Sequence, residues 1–257
     1  MNDNYEGIEF KEVSRERKVR KKKHYLLRFL VFVLVVAGIL TFISSDFFAL
    51  KSVKVTGGSF YNEEQIINLS QVKKNENIFW GESVRNIPET LMKNPYFREV
   101  KVSRSLPDKI VIKVDERKQF AAVAYGEEFV VIDAEGIVLR VSEENPKLTT
   151  LNGLTISRMT KGEKLEAEEK SALELTLQML QTMDSGDIFF KKIDFSKVII
   201  KAYINDNFIV KGTPKQIIAS IEKGELQKVV NNLIKQDTTR GTISMGDHNY
   251  MSFSPNF

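Results

Sequence analysis

Residues 94–117 read NPYFREVKVSRSLPDKIVIKVDER. Val100 and Val102 alternate with charged or polar neighbours, and Ile110, Ile112 and Val114 do so again. A period of two marks a half-buried strand. Leu106-Pro107-Asp108 supplies the turn between the runs, because proline presets φ and aspartate bonds to its own backbone. The stretch is therefore a β-hairpin with the five β-branched residues facing a core and with Pro95 and Pro107 as turn formers. Glu116 and Arg117 close it, placed either to pair with each other at the strand end or to face a partner.

Towards the N-terminus, Val84, Ile87 and Leu91 stand at i, i+3 and i+7 and predict a helix, with Pro88 at its start or at a kink. Asn62-x-x-Gln65 is a capping box opening a second helix through Leu69, and residues 50–55 read as a short strand ended by Thr56-Gly57-Gly58. Asn77-Ile78-Phe79-Trp80 follows a polar turn between the helices. The order β-α-α-β-β gives a small sheet covered on one face by two helices.

Beyond Phe120 strands dominate. Residues 129–132, an Asp133-Ala134-Glu135-Gly136 turn and residues 137–139 predict another hairpin. One helix interrupts, with Leu173, Leu177 and Leu180 at i, i+4 and i+7 beside Ala172, Leu175, Met179 and Met183, a core stripe. Strands resume at 193–195, 198–204 and, after an Asn205-Asp206-Asn207 turn, at 208–211 ending at Gly212. Gly212-Thr213-Pro214-Lys215 lacks the second glycine and the G-K-[ST] end of a phosphate loop, and Pro214 has no N–H to offer one. It reads instead as a strand-to-helix turn, with Thr213 as cap and Pro214 first in the helix. A helix over 226–234 carries Leu226, Val229, Val230 and Leu233 on one face, and strands at 242–245 and 250–253 finish the chain.

Ahead of these elements, Thr41 is the one polar interruption between Phe29 and Ile43. A surface helix would need a polar face, whereas about 20 apolar residues cross a bilayer, so residues 26–46 are expected to span one with Arg28 snorkelling to the headgroups. Phe47-Phe48-Ala49 lacks the small-x-small pattern of a cleaved signal, which favours an uncleaved anchor. Residues 1–28 hold nine Lys or Arg against five Asp or Glu, and the rest of the chain is neutral. Positive charge before the span, including Lys21, Lys22 and Lys23, places the N-terminal tail in the cytoplasm and everything after residue 46 outside, a type II orientation.

The same distribution argues against nucleic acid, whose partners carry their basic footprint on the folded body. With no cysteine there is neither a disulfide framework nor a thiolate, and His24 and His248 stand too far apart in sequence to form a ligand-spaced cluster. Carboxylates are plentiful, but no pair sits in a motif that would raise one pKa and leave the other ionised, and no G-x-S-x-G appears, so no catalytic residue, metal, cofactor or small-molecule substrate is expected.

The 94–117 hairpin with its final Val114-Asp115-Glu116-Arg117 resembles the signature of a POTRA domain, and Val53-Lys54-Val55-Thr56-Gly57 and Asn77-Ile78-Phe79 are similar to that family's opening strand and mid-domain turn. A POTRA domain directly behind one N-terminal anchor resembles the FtsQ/DivIB family of bacterial cell-division proteins. Residues 212–228 followed by Leu233 are similar to the family's Gly-then-Lys-Leu segment, with Val229 in place of leucine, while Ile243-Ser244-Met245-Gly246 departs from its usual Asp-Leu-Arg strand.

The resemblance implies an α+β chain: a basic tail (1–25), a transmembrane helix (26–46), a POTRA domain (47–118), a mostly antiparallel β domain with helices (119–245) growing outward from the last POTRA strand, and a C-terminal strand or tail (246–257). It implies a non-catalytic septal scaffold that binds single-pass division proteins of the FtsB/DivIC and FtsL type by strand addition at an exposed sheet edge. Tyr250, Met251, Ser252 and Phe253 are the candidate partner-binding residues. A membrane-anchored POTRA chaperone or transport module is the alternative, whose usual markers are a large membrane barrel or several POTRA repeats.

Overall fold

The computed structural model describes residues 24–183, 187–196, 198–204, 208–238, 240–246 and 250–255. Most of the basic tail, His248 and the 205–207 turn lie outside them. Residues 1–45 and 46–257 form two units.

The first unit contributes helix α1, Tyr25–Ile43, whose 19 residues include no buried side chain. At a rise of about 1.5 Å per residue it extends about 28 Å, close to the hydrocarbon thickness of a bilayer. The hydroxyl of Thr41 is satisfied within the helix, since its Oγ1 donates to the Ala37 carbonyl at 2.5 Å. The helix is long and apolar enough to cross a membrane.

The second unit opens with a 3-10 turn, Asp46–Phe48. A three-stranded sheet follows, built from β1 (Ser52–Thr56), β2 (Phe97–Ser105) and β3 (Lys109–Glu116), with helices α2 (Glu63–Ser70) and α3 (Glu82–Met92) between β1 and β2. This is the expected β-α-α-β-β order. The spatial order is β1-β3-β2, with β1 parallel and β2 antiparallel to β3. Ile66, Val84, Ile87 and Leu91 from the helices meet Ile110, Ile112 and Val114 from β3 in one core. The Asn62 capping box forms in both directions, at 2.8 and 2.9 Å. Pro88 stands inside α3, so the helix starts six residues before it. Leu50 belongs to no strand: its N–H donates to the Glu76 carbonyl, its carbonyl accepts from Asn75, and its side chain is fully buried.

A nine-stranded sheet forms the remainder. In chain order its strands are β4 (Ala121–Tyr125), β5 (Glu128–Ile132), β6 (Val138–Ser142), β7 (Thr149–Asn152), β10 (Lys192–Phe195), β11 (Ile200–Tyr203), β12 (Phe208–Gly212), β13 (Gly241–Met245) and β14 (Met251–Pro255). A short pair, β8 (Ile156–Arg158) and β9 (Glu166–Ala167), stands apart. The spatial order is β14-β13-β12-β11-β10-β7-β4-β5-β6. Most pairings are antiparallel, but β4 with β7, β7 with β10 and β12 with β13 run parallel. Helices α4 (Lys170–Gln181), α5 (Pro214–Glu222) and α6 (Glu225–Lys235) share a core with the sheet, through residues such as Leu177, Ile217 and Val230. Thr213 caps α5 with Pro214 at its first position, as the sequence predicts.

One expectation is corrected. The large sheet does not grow from the last POTRA strand, because β3 ends at Glu116 in the smaller sheet and β4 opens a separate one. What joins them is a set of side-chain contacts around residues 96 and 117–140.

Candidate protein-binding edge

Glu116 and Arg117 do not use each other. Glu116, only 7% exposed, accepts from the backbone N–H groups of Ser59 (2.7 Å), Phe60 (2.6 Å) and Tyr61 (3.3 Å), and so ties the loop between β1 and α2 to the end of β3. The loop enters that position through Gly57, whose φ of +94° and whose approach to the Val114 carbonyl leave no room for a Cβ. Arg117 turns the other way and donates to Asp133 Oδ2 at 2.6 Å and Glu135 Oε2 at 2.9 Å. Asp133 in turn accepts from the N–H groups of Glu135 and Ile137 through Oδ1, holding the β5–β6 turn. The Arg117 hydrogen bond, joined by the charges of Arg98 and Arg117, holds the Glu135 carboxyl below the usual range. Beside this link Gln119 donates to the Tyr96 hydroxyl, and burial pushes that phenol above its ordinary value.

The four candidate residues stand at the far end of the large sheet. Strand β14 is its terminal strand, paired with β13 alone, in register Ile243 to Phe253 and Met245 to Met251. Gly246 N–H donates to the Tyr250 carbonyl at 2.7 Å, which makes these two a close pair. Antiparallel close and wide pairs alternate, so the backbone groups of Ser252 and Ser254 point at β13 and those of Met251 and Phe253 point outward from the sheet. Pro255 falls on the same outward phase, where its missing N–H costs no ladder bond.

The side chains divide on the other axis. Met251 and Phe253 are partly buried and pack against the large core, whereas Ser252 and Ser254 are exposed. Tyr250, just before the strand, is 70% exposed. The structure thus brings all four candidates to one sheet edge and adds Ser254 and Pro255 to it.

The edge is held from beneath. A Cβ on Gly241 would stand 2.3 Å from the Phe253 ring, so the ring occupies the space that glycine leaves. Gln216 on α5 donates to the Gly246 carbonyl at 3.1 Å, and Ser220 Oγ lies 3.7 Å from Met251 Sδ. None of these supports was identified from the sequence, because each joins residues about 12 to 31 positions apart with no local pattern. The opposite edge, β6, is overlaid at its start: Val138 N–H donates to Glu163 and its carbonyl accepts from Gly162.

Among the described residues, one apolar helix of membrane-crossing length, a β-α-α-β-β domain and a large sheet with an outward-facing terminal strand define a POTRA-type protein. Residues 48–117 match the family described as POTRA domain, FtsQ-type. The chain is 28% identical over 232 residues to the cell division protein DivIB of Clostridium botulinum (strain Hall), covering 86% of this chain and 89% of that one. It is 22% identical over 201 residues to DivIB of Bacillus subtilis (strain 168), covering 78% and 74%. The solved extracytoplasmic domain of DivIB from Geobacillus stearothermophilus overlays with a TM-score of 0.29 at 16% identity, over 42% of this chain and 87% of that one, and adds no weight at that score. Residues 48–117 are thus a POTRA domain of the FtsQ type, and over most of its length the chain is similar to proteins named for cell division.

Proposed function

We propose that the protein is a non-catalytic scaffold at the division septum, which binds other single-pass division proteins of the FtsB/DivIC and FtsL type and supports septum formation. Its tail lies in the cytoplasm and α1 anchors it. The POTRA domain (47–118), the β domain (119–245) and the closing segment (246–257) stand on the outer side. The observation carrying this reading is the edge at β14. Met251 and Phe253 aim backbone donors and acceptors outward, while their side chains stay packed behind the strand. An incoming strand or extended segment gains affinity from those groups and specificity from Tyr250, Ser252 and Ser254. Similarity to proteins named for cell division over most of the chain supports the setting.

Fluorescence imaging of a functional fusion, combined with depletion, tests this. Midcell bands and filamentous cells are the expected result. Uniform membrane signal with normal division contradicts it.

A further inference from the structure

The pole of the POTRA domain where the chain enters carries large exposed side chains away from the β14 edge, one of which, Phe47, meets the Phe48 ring edge to face at 5.1 Å. Trp80 is 60% exposed, Leu106 62% and Phe47 56%. Single exposed apolar residues are ordinary on a protein surface, so their grouping decides the matter. The three segments that carry them are laced together. Ile78 N–H donates to the Phe48 carbonyl at 3.0 Å, and the Phe48 and Phe79 rings meet edge to face at 5.4 Å. Arg104 donates through Nε to the Ile78 carbonyl at 2.7 Å and lies over the Phe79 ring. Lys51 N–H donates to the Asp108 carbonyl at 2.8 Å, which fixes the β2–β3 turn to the start of β1.

This pole is also tethered. Helix α1 ends at Ile43, and four residues of fully extended chain, about 14 Å at most, lead from there to Phe47. Cations stand among the apolar residues: Lys51, Arg104 and Lys109 are all exposed. Tryptophan beside basic side chains is the composition found where protein meets the headgroup layer, since indole is amphipathic and lysine and arginine attract phosphate.

We propose that this pole rests on the outer phospholipid surface, with Trp80 and Leu106 at the boundary between headgroups and acyl chains. The contact orients the second unit on the membrane and is separate from the β14 edge. It depends on α1 spanning the bilayer.

Trp80 is the only tryptophan in the chain, so it reports on itself. The full chain is reconstituted into vesicles of phosphatidylcholine and phosphatidylglycerol, with and without bromine on the acyl chain near the headgroup. Co-flotation with the vesicles, blue-shifted emission and loss of emission with brominated lipid are expected. Leu106→Ser, which alters an exposed turn residue, shifts emission back to the red and removes most of the bromine quenching. A Trp80→Phe, Leu106→Trp variant places the reporter in the turn, where brominated lipid quenches it as well. Co-flotation with emission typical of water, quenched by dissolved iodide and not by brominated lipid, overturns the proposal while leaving the anchor intact. Failure to co-float overturns the anchor reading and the proposal with it.

Discussion

Arg117 Nη1 lies 2.6 Å from Asp133 Oδ2, across the boundary between the small sheet and the large one. The last residue of the POTRA signature therefore engages the β5–β6 turn of the next domain. Asp133 is 2% exposed and Arg117 16%. Removing one member of a buried pair strands the other charge, a loss of about 3 kcal/mol or more. Arg117→Ala is expected to destabilise the chain by that order in urea unfolding followed by circular dichroism. A loss under about 1 kcal/mol, typical of an exposed pair, would show that the link is only superficial.

Glu116 poses the complementary case, because its partners are backbone groups. Glu116→Ala leaves the N–H groups of Ser59, Phe60 and Tyr61 without their acceptor. Ser59 and Phe60 are exposed and water can reach their N–H groups, so the expected loss is that of hydrogen bonds to one charged group, about 1.5–3 kcal/mol. Glu116→Gln, which keeps one carbonyl oxygen, loses less. Equal losses from the two variants would contradict the hydrogen-bonding account.

The Arg117 cluster also makes a pH prediction. Glu135 is held below its ordinary value chiefly by the Arg117 hydrogen bond. A carboxyl whose pKa is depressed on folding adds stability above its unfolded value of about 4.3, and loses it as pH falls through the folded value. Because Glu135 is half exposed, the effect stays below about 1 kcal/mol. Urea unfolding of Glu135→Gln at neutral and at acid pH should show a smaller loss on acidification than the parent. An identical pH profile would remove Glu135 from the account.

At the other end of the molecule, Gly241 leaves room for the Phe253 ring. Gly241→Val forces the ring away and with it the strand that presents the edge. Hydrogen exchange of the Ser252 and Ser254 amides, which point at β13, is expected to quicken about tenfold for each ~1.4 kcal/mol of local stability lost. Unchanged protection would show that the strand does not depend on that space.

The small domain was legible because its signals are local. The capping box from Asn62 to Gln65, the i, i+3, i+7 spacing of Val84, Ile87 and Leu91, and the alternation through Ile110, Ile112 and Val114 each declare an element within a few residues. The large sheet was harder. Strand β4 is Ala121-Ala122-Val123-Ala124-Tyr125, with its first three residues buried. A strand covered on both faces has no alternation, and alanine is a weak strand former. Strand β7, Thr149–Asn152, is only four residues long and has a parallel neighbour on each side. Such pairings depend on distant residues. The candidate edge was legible as a terminal strand, but the outward phase of Met251 and Phe253 required the Gly246 to Tyr250 bond.

The central claim is that β14 receives a partner strand at the septum, and a photoreactive amino acid at Ser252 tests it most directly. Its side chain is exposed in the middle of that edge strand. In dividing cells the account predicts a crosslink from this position to a single-pass division protein of the FtsB/DivIC or FtsL type. It also predicts loss of that crosslink when Gly241→Val is added. A functional, midcell-localised protein that gives no such crosslink from Ser252 or Ser254 would contradict it.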